Sequence, residues 1–222
     1  MTDDLSSYRS RVLAALGDPA GSRYSSAQVD DALRRALAEY SQASPALFET
    51  TLSVESPGRM QPVSGLLGLQ FFTRVAWPDP EIPIYTWYAL QVAGVPYIHF
   101  TTARIPQAGE SIRLMYAAKH TLSELDGAES GTVPEAHASL LAAGAAAFAA
   151  VARSSGVTEQ MTSRASNAGQ LLLWGQENLK TWRSALRELA LQKSGPLAAA
   201  SRWRLDRWDR RPAGEEESCE PV

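Results

Sequence analysis

The side chains best suited to acid–base or metal chemistry in this chain are three histidines, His99, His120 and His137. Two histidines one helical turn apart could hold a metal ion, but none of the three has a partner at that spacing. The run HTLSELD, from His120 to Asp126, places a base, hydroxyls and carboxylates side by side in sequence. Catalytic triads are built from residues distant in sequence, so this run predicts a capped turn before a helix. We therefore expect structural histidines.

Two glycine-bearing segments are only superficially like nucleotide-binding loops. GDPAGS at residues 17–22 lacks the Gly-Lys-Ser/Thr ending of a phosphate loop, and GLLGLQ at residues 65–70 does not match the dinucleotide fingerprint. Both segments predict turns. Cys219 is the only cysteine, so an intrachain disulfide and a cysteine-based zinc site are excluded. We predict neither a catalytic residue, nor a cofactor, nor a metal site, and hence no enzyme.

The composition is that of a globular protein with a real core, since 45% of the 222 residues are hydrophobic and 20% are charged. A net charge of -3 gives no sign of a nucleic-acid-binding protein or of one attracted to anionic membranes. The start, MTDDLSS, is acidic where a signal peptide would be basic. The most apolar run, residues 140–151, is shorter than the roughly 20 residues of a membrane span. We expect a soluble protein without membrane contact.

The first two secondary-structure elements that the sequence predicts are helices. An apolar stripe predicts the first helix, which ends at Gly17. Ser25 and Gln28 have the spacing of a capping box and begin the second helix, which ends before Pro45.

The pattern changes between Leu47 and Lys119, where short aromatic and β-branched runs alternate with Pro- and Gly-containing turns. The predicted strands cover residues 48–54, 71–77, 84–90, 95–101 and 112–118. Their regular spacing predicts a small antiparallel sheet, either a meander or sandwich-like.

Two further helices follow. Thr132 or a neighbour is expected to cap the third, with Pro134 in its first turn and its end at residues 154–156. The fourth is predicted from about Thr158 to Lys193, with Gly195-Pro196 ending it.

These elements predict an α+β fold in which the N- and C-terminal helices form one bundle and a small antiparallel β domain is inserted between them. The expected divisions are residues 1–46 for the first helical pair, 47–130 for the β domain and 131–195 for the helices that complete the bundle. Residues 196–222 are expected to form a flexible tail.

The alanines of the third helix allow two interpretations. Small side chains surround this helix, so other helices can approach it closely at little cost in side-chain entropy. The helix is either an internal core helix or one whose face packs against a neighbouring subunit, with Ala142, Ala146 and Ala149 in the contact.

Arginine and tryptophan alternate in the tail, and these residue types dominate binding hot spots. The candidate docking residues are Arg202, Trp203, Arg204, Arg207 and Trp208. Asp206 and Asp209 dilute the positive charge, which favours protein docking over nucleic-acid binding, and a merely solubilising extension is an equal alternative.

The β region is dense in aromatic residues, which also line ligand pockets. A small-molecule-binding or hydrolytic α+β domain is therefore an alternative, with a site made from Trp77, Tyr85, Trp87, Tyr88, Tyr97 and His99. The simpler interpretation is that these rings fill the core of the sheet.

The order of these motifs resembles the head–tail connector (adaptor, or head-completion) proteins of tailed bacteriophages and prophages. The resemblance covers most of residues 5–190. It rests on YSSAQVDDAL at 24–33, TTLSV at 50–54, VAWP at 75–78, PQAGESIRLMY at 106–116, and the elements HTL, LDG and TVP that lead into the alanine helix.

The resemblance implies a non-enzymatic virion protein in a homo-oligomeric ring, commonly a dodecamer, under the portal protein and around the DNA channel. Tail or neck proteins are further partners, and the C-terminal tail would reach the portal. DNA would pass without specific binding, which suits the net charge of -3. Assembly in the host cytoplasm and a place in the virion follow. Another neck or tail-completion component is the nearest alternative.

Overall fold

The computed structural model describes residues 4–77, 87–159 and 165–205, and the side chains of these residues except at 156–159, 165–167 and 193–205. The described residues form the predicted α+β fold. The helices are α1 (Leu5–Ala15), α2 (Ser26–Ala43), α3 (Ala138–Glu159) and α4 (Ala165–Leu205). The strands are β1 (Ala46–Ser53), β2 (Met60–Pro62), β3 (Leu69–Ala76), β4 (Trp87–Val92), β5 (Val95–Phe100) and β6 (Ser111–Ala118).

Side-chain caps fix the starts of the first two helices. The Asp4 carboxylate accepts a hydrogen bond from the backbone N–H of Ser7 at 2.8 Å and so caps α1. Ser25 and Gln28 form the predicted capping box, with both of its reciprocal hydrogen bonds in place. Local sequence alone therefore specified where α2 begins.

The turn between α1 and α2 is organised by the buried carboxylate of Asp18. It accepts hydrogen bonds from the backbone N–H groups of Ser22, Arg23 and Tyr24 and from the Ser22 hydroxyl. Burial acts to raise the pKa of Asp18, but these hydrogen bonds outweigh it and leave the pKa below its ordinary value. The glycine-bearing segment at 17–22 is thus a turn, as its sequence predicted.

One hydrophobic core joins the helices from both ends of the chain, with α3 packed against α1, α2 and α4. The segment Glu135–Ser155 is long and apolar enough to span a membrane by length and composition. Half of its most apolar window is buried within the chain, however, as in the core helix of a globular protein. The alanines of α3 therefore serve close packing of helices around a central one.

The contact between α3 and α4 is antiparallel and depends on two glycines. The indole of Trp182 lies over Gly144, and the side chain of Val151 lies against Gly175. Trp182 also donates its Nε1–H to the Leu140 carbonyl at 2.9 Å. Buried or partly buried residues of α4 recur at intervals of three, four or seven, as in a coiled coil: Ala168, Gly175, Leu179, Trp182, Leu186 and Leu189.

The predicted start of α3 was wrong. Pro134 has an extended backbone (ψ 139°) and precedes a short 3-10 turn at Glu135–His137, after which α3 begins at Ala138. Thr132 does not cap the helix, because its hydroxyl oxygen accepts a hydrogen bond from the Thr121 backbone N–H at 2.9 Å. The hydroxyl also lies 3.0 Å from Nδ1 of His120.

The predicted ends of the last two helices were also wrong. Residues 154–156 do not stop α3, because the Ser154 hydroxyl is satisfied within the helix by donating to the Val151 carbonyl at 2.7 Å. The next helix begins at Ala165 and continues through Gly195-Pro196 to Leu205. An interior proline removes a backbone hydrogen bond and its ring crowds the carbonyl four residues earlier, so Pro196 weakens α4 at this point although the helical backbone continues past it.

The strands form two antiparallel three-stranded sheets, which is the sandwich-like of the two forms that the sequence predicted. Sheet A has the order β1-β6-β3 and sheet B the order β2-β5-β4. Side chains from both sheets meet in a second core, with Phe72, Val75, Ile112 and Leu114 from sheet A and Ile98 and Phe100 from sheet B. The β domain is therefore a small sandwich.

The sequence missed β2, whose three residues pair with β5. The other strands lie within three residues of the predicted positions. Residues 84–86, the start of the predicted strand 84–90, lie outside the described part of the chain.

Buried polar groups join the bundle to the sandwich after β6. The His120 backbone N–H donates to the Ser41 hydroxyl, and Nε2 of His120 lies 2.9 Å from the Ser44 carbonyl oxygen. His137 Nδ1 is 2.5 Å from the Tyr40 hydroxyl. Both histidines are therefore held by polar contacts with residues near the end of α2.

Candidate interaction surfaces

The predicted docking residues belong to the end of α4. Arg202, Trp203 and Arg204 lie on its last turn, where the backbone but not the side chains is described. Arg207 and Trp208 lie outside the described residues. The structure therefore places the backbone of the first three at the end of a long helix.

The register of the antiparallel pair shows where α4 leaves the bundle. Trp182 is beside Gly144 and Gly175 is beside Val151, so residue 188 of α4 is level with Ala138, the first residue of α3. From there the helical backbone continues to Leu205, about 25 Å measured along the helix at 1.5 Å per residue. α4 is therefore both a bundle helix and an arm.

The predicted subunit-packing residues lie inside the chain's own bundle. Ala142, Ala146 and Ala149 are only 3%, 1% and 3% exposed. A neighbouring subunit could not reach these side chains unless the bundle opened. The structure thus favours the other interpretation of the alanine pattern, in which α3 is an internal core helix.

The aromatic residues of the β domain divide between two sides of a sheet. Trp77 is buried in the sandwich, where its Nε1–H donates to the Glu110 carboxylate at 2.9 Å and its ring lies 5.5 Å from that of Phe100. Trp87 packs edge-on against Phe72 in the same core. These two tryptophans fill the core.

The other described residues of the predicted aromatic site lie on the opposite side of sheet B. Tyr88 pairs with His99 across the strands and stacks on its ring at 4.6 Å, and Tyr97 follows on the same face. Tyr85 is outside the described residues. Because the sheet separates Trp77 and Trp87 from the other three, the six predicted residues do not line one pocket.

We call the outward side of sheet B the aromatic face. The strand register places these side chains on it: Met60, Tyr88, Leu90, Val92, Tyr97 and His99, with Pro62 and Val95 completing the rows. None of the eight is Asp, Glu, Lys or Arg. Met60, Tyr88, Val92 and Val95 are between 38% and 48% exposed. Large exposed apolar patches mark interaction sites in soluble proteins.

A polar atom on the aromatic face lacks a partner. Nδ1 of His99 is buried and has no hydrogen bond within the described part of the chain. Buried polar atoms are nearly always hydrogen-bonded, so this nitrogen is an exception within the described part of the chain.

The outward side of sheet A, on the other side of the sandwich, has a mixed character. We call it the arginine face and define it by Leu47, Glu49, Phe71, Arg74, Arg113 and Met115, which the register places together. Leu47 and Phe71 are 65% and 52% exposed. Arg113 forms an ion pair with Glu49 at 3.2 Å.

The described surface also has an open groove of about 550 Å³ between the edge strands β3 and β4. Gln70, Phe71 and Phe72 line one side, Ala89, Leu90 and Gln91 the other, with Lys119 nearby. Within the described ranges, no three His, Cys, Asp or Glu side chains are grouped as metal ligands would be.

No family model matches this chain, and a comparison with curated proteins found no match. The aromatic face is what sequence reasoning missed. The signal was present, because β4 and β5 carry apolar residues at both alternating positions, whereas a half-buried strand shows them at one.

Proposed function

We propose that this chain is a subunit of the head–tail connector of a tailed bacteriophage or prophage, a structural protein of the virion that forms a ring between portal and tail. The observation that carries the proposal is the path of α4, which completes a bundle built from both ends of the chain and then leaves it as an arm. The resemblance in sequence to connector proteins supports the same conclusion. Portal, tail or neck proteins would be its partners.

The arm has the properties expected of a docking element. An isolated helix of this length is marginal in water, and most of the stability of helices in proteins comes from packing against a partner. The last turns carry Arg202, Trp203 and Arg204, and Arg207 and Trp208 follow. Arginine and tryptophan provide much of the binding energy in protein interfaces. We assign the arm to the portal contact.

The charge of the chain fits a conduit for DNA. A protein that neutralises phosphates with many Lys and Arg residues binds DNA tightly through counterion release. This chain has a net charge of -3 and holds several arginines in ion pairs, including Arg9 with Asp30 and Arg183 with Glu39. A ring of such subunits would let DNA pass rather than retain it.

The deciding experiment mixes the purified chain with the portal protein encoded in the same genome. Mass photometry should show portal complexes that gain an integral multiple of the 24.0 kDa chain mass, and negative-stain microscopy should show an added ring. A variant ending at Lys193 should fail to bind. Leu67→Lys changes an exposed apolar residue outside both sheet faces and serves as the control, which should bind normally.

Failure of both the full chain and the control to bind the portal would reject the proposal. Binding to a tail protein instead would favour another neck or tail-completion component. The small-molecule-binding or hydrolytic alternative has no specific support among the described residues, since its predicted aromatic site is divided by sheet B.

A further inference from the structure

The two outward faces of the β sandwich differ in chemistry, and each exposes apolar side chains. The aromatic face has Tyr88, Tyr97 and His99 among aliphatic residues and no charge. The arginine face has Leu47 and Phe71 beside Arg74 and the ion pair of Arg113 with Glu49. Both faces carry more apolar residues than a solvated sheet face normally does. In a sheet with one solvated side, apolar residues usually point to the core and polar residues to the water.

The two faces are complementary to each other. Guanidinium groups stack favourably on aromatic rings, and Tyr–Arg contacts are frequent at the centres of protein interfaces. Docking of one face on the other would also cover Leu47 and Phe71 with apolar side chains of the aromatic face. If the aromatic face packed on a copy of itself, the exposed apolar residues of the arginine face would stay in water.

We propose that the aromatic face of one copy of this chain docks on the arginine face of a second copy. The contact is heterologous, since it joins two different surfaces. The two faces lie on opposite sides of one sandwich, so each copy retains a free face after one contact forms, and repetition gives a closed ring or an open filament.

The inference deepens the proposed function, because it rests on the ring and identifies its subunit contact. The contact between copies uses only the two sheet faces, so its test needs no portal protein. A portal contact through α4 and a subunit contact through the β sandwich can therefore fail independently.

The test compares three full-length variants with the unaltered chain by sedimentation velocity, from low micromolar to high micromolar concentration. Tyr88→Lys/Val92→Lys introduces positive charge on the aromatic face, opposite the partner's arginines. Leu47→Lys/Phe71→Lys removes the exposed apolar residues of the arginine face. Leu67→Lys is the matched control, since this leucine is 92% exposed and belongs to neither face.

We expect the unaltered chain and the control to form species larger than dimers as concentration rises. Each double variant should associate at least about tenfold more weakly, because loss of a central apolar anchor commonly costs that much or more. An equimolar mixture of the two double variants should form a one-to-one dimer and nothing larger. In that mixture the intact arginine face of one variant can dock only on the intact aromatic face of the other.

The mixing result also shows that both variants are folded, because only folded faces can pair. If a thermal melt reveals that a double variant is unfolded, Tyr88→Lys or Leu47→Lys alone replaces it. Monomers at every concentration of the unaltered chain would overturn the proposal. Assembly that stops at a dimer, unaltered association of either variant, or a mixture of folded variants that stays monomeric would overturn it as well.

Discussion

The indole of Trp182 packs directly on Gly144, where the two longest helices of the bundle meet. A Cβ atom at position 144 would have three atoms of the indole ring within 2.7 Å, so only glycine leaves room for the ring. The same indole donates to the Leu140 carbonyl, which fixes its orientation against α3. The glycine thus determines how closely α4 can lie and how its arm leaves the bundle.

Replacing Gly144 with alanine should destabilise the protein, although alanine is the better helix former. The added methyl group must displace the ring, and overpacking of this kind costs about 1–3 kcal/mol. The free energy of unfolding, measured by urea denaturation, should fall by that amount. Equal or greater stability would show that the indole can move away at little cost.

Gly169→Ala provides the matched control, because no atom lies within 4 Å of a Cβ built at Gly169 in α4. This change should raise stability by about 0.5–1 kcal/mol through the helix preference for alanine over glycine. If the same substitution lowers stability at position 144 and raises it at position 169, the loss can be assigned to the contact with Trp182.

Ala146→Leu tests the burial of the alanine face of α3. Ala146 is 1% exposed, so a leucine there should cost about 1–3 kcal/mol by overpacking. Ala152→Leu, at an exposed position of the same helix, should leave the thermal midpoint nearly unchanged. An Ala146→Leu protein as stable as the parent would mean that α3 is not central to the bundle.

The parts of the fold that could be predicted from sequence depend on local chemistry. Ser25 and Gln28 predicted the start of α2 because a capping box is complete within four residues. The ends of α3 and α4 depend on tertiary contacts, which local signals do not report. Ser154, for example, lies in a segment that predicts a helix end, whereas in the structure its hydroxyl donates to a carbonyl of α3.

The same distinction applies to the candidate surfaces. The alanine pattern predicted close helix packing, but whether the partner was internal or a second subunit depended on where α1, α2 and α4 lie. The aromatic face needed the pairing of β4 with β5, which brings Tyr88 beside His99. The density of aromatics was visible in the sequence, while the division between core and surface was not.

Asp18 gives the α1–α2 turn a dependence on pH. Its folded pKa is below the ordinary value of 3.8, because hydrogen bonds to the carboxylate outweigh burial. A group with a lowered folded pKa contributes its full stability above the unfolded pKa and loses it as pH falls through the folded pKa. Asp18→Asn should therefore lower the urea midpoint at neutral pH.

That difference between Asp18→Asn and the parent should shrink as the pH falls below 3.8, where the carboxyl begins to protonate. Glu55→Gln removes an exposed carboxylate and should cause little change at any pH. A difference for Asp18→Asn that stays constant from neutral to acid pH would show that the charge of the carboxylate is not what holds the turn.

Truncation of α4 should separate its bundle segment from its arm. The chain's own core includes Trp182 and Leu186 and, at its margin, Leu189, so ending the chain at Lys193 keeps all three. Its thermal midpoint should match that of the full chain. Ending the chain at Leu179 removes Trp182 and Leu186, which are 3% and 5% exposed, and should abolish cooperative unfolding or lower the midpoint steeply, because it uncovers α3. A large loss of stability in the longer variant would mean that residues beyond Lys193 pack on the bundle, and the arm would then have no independent role.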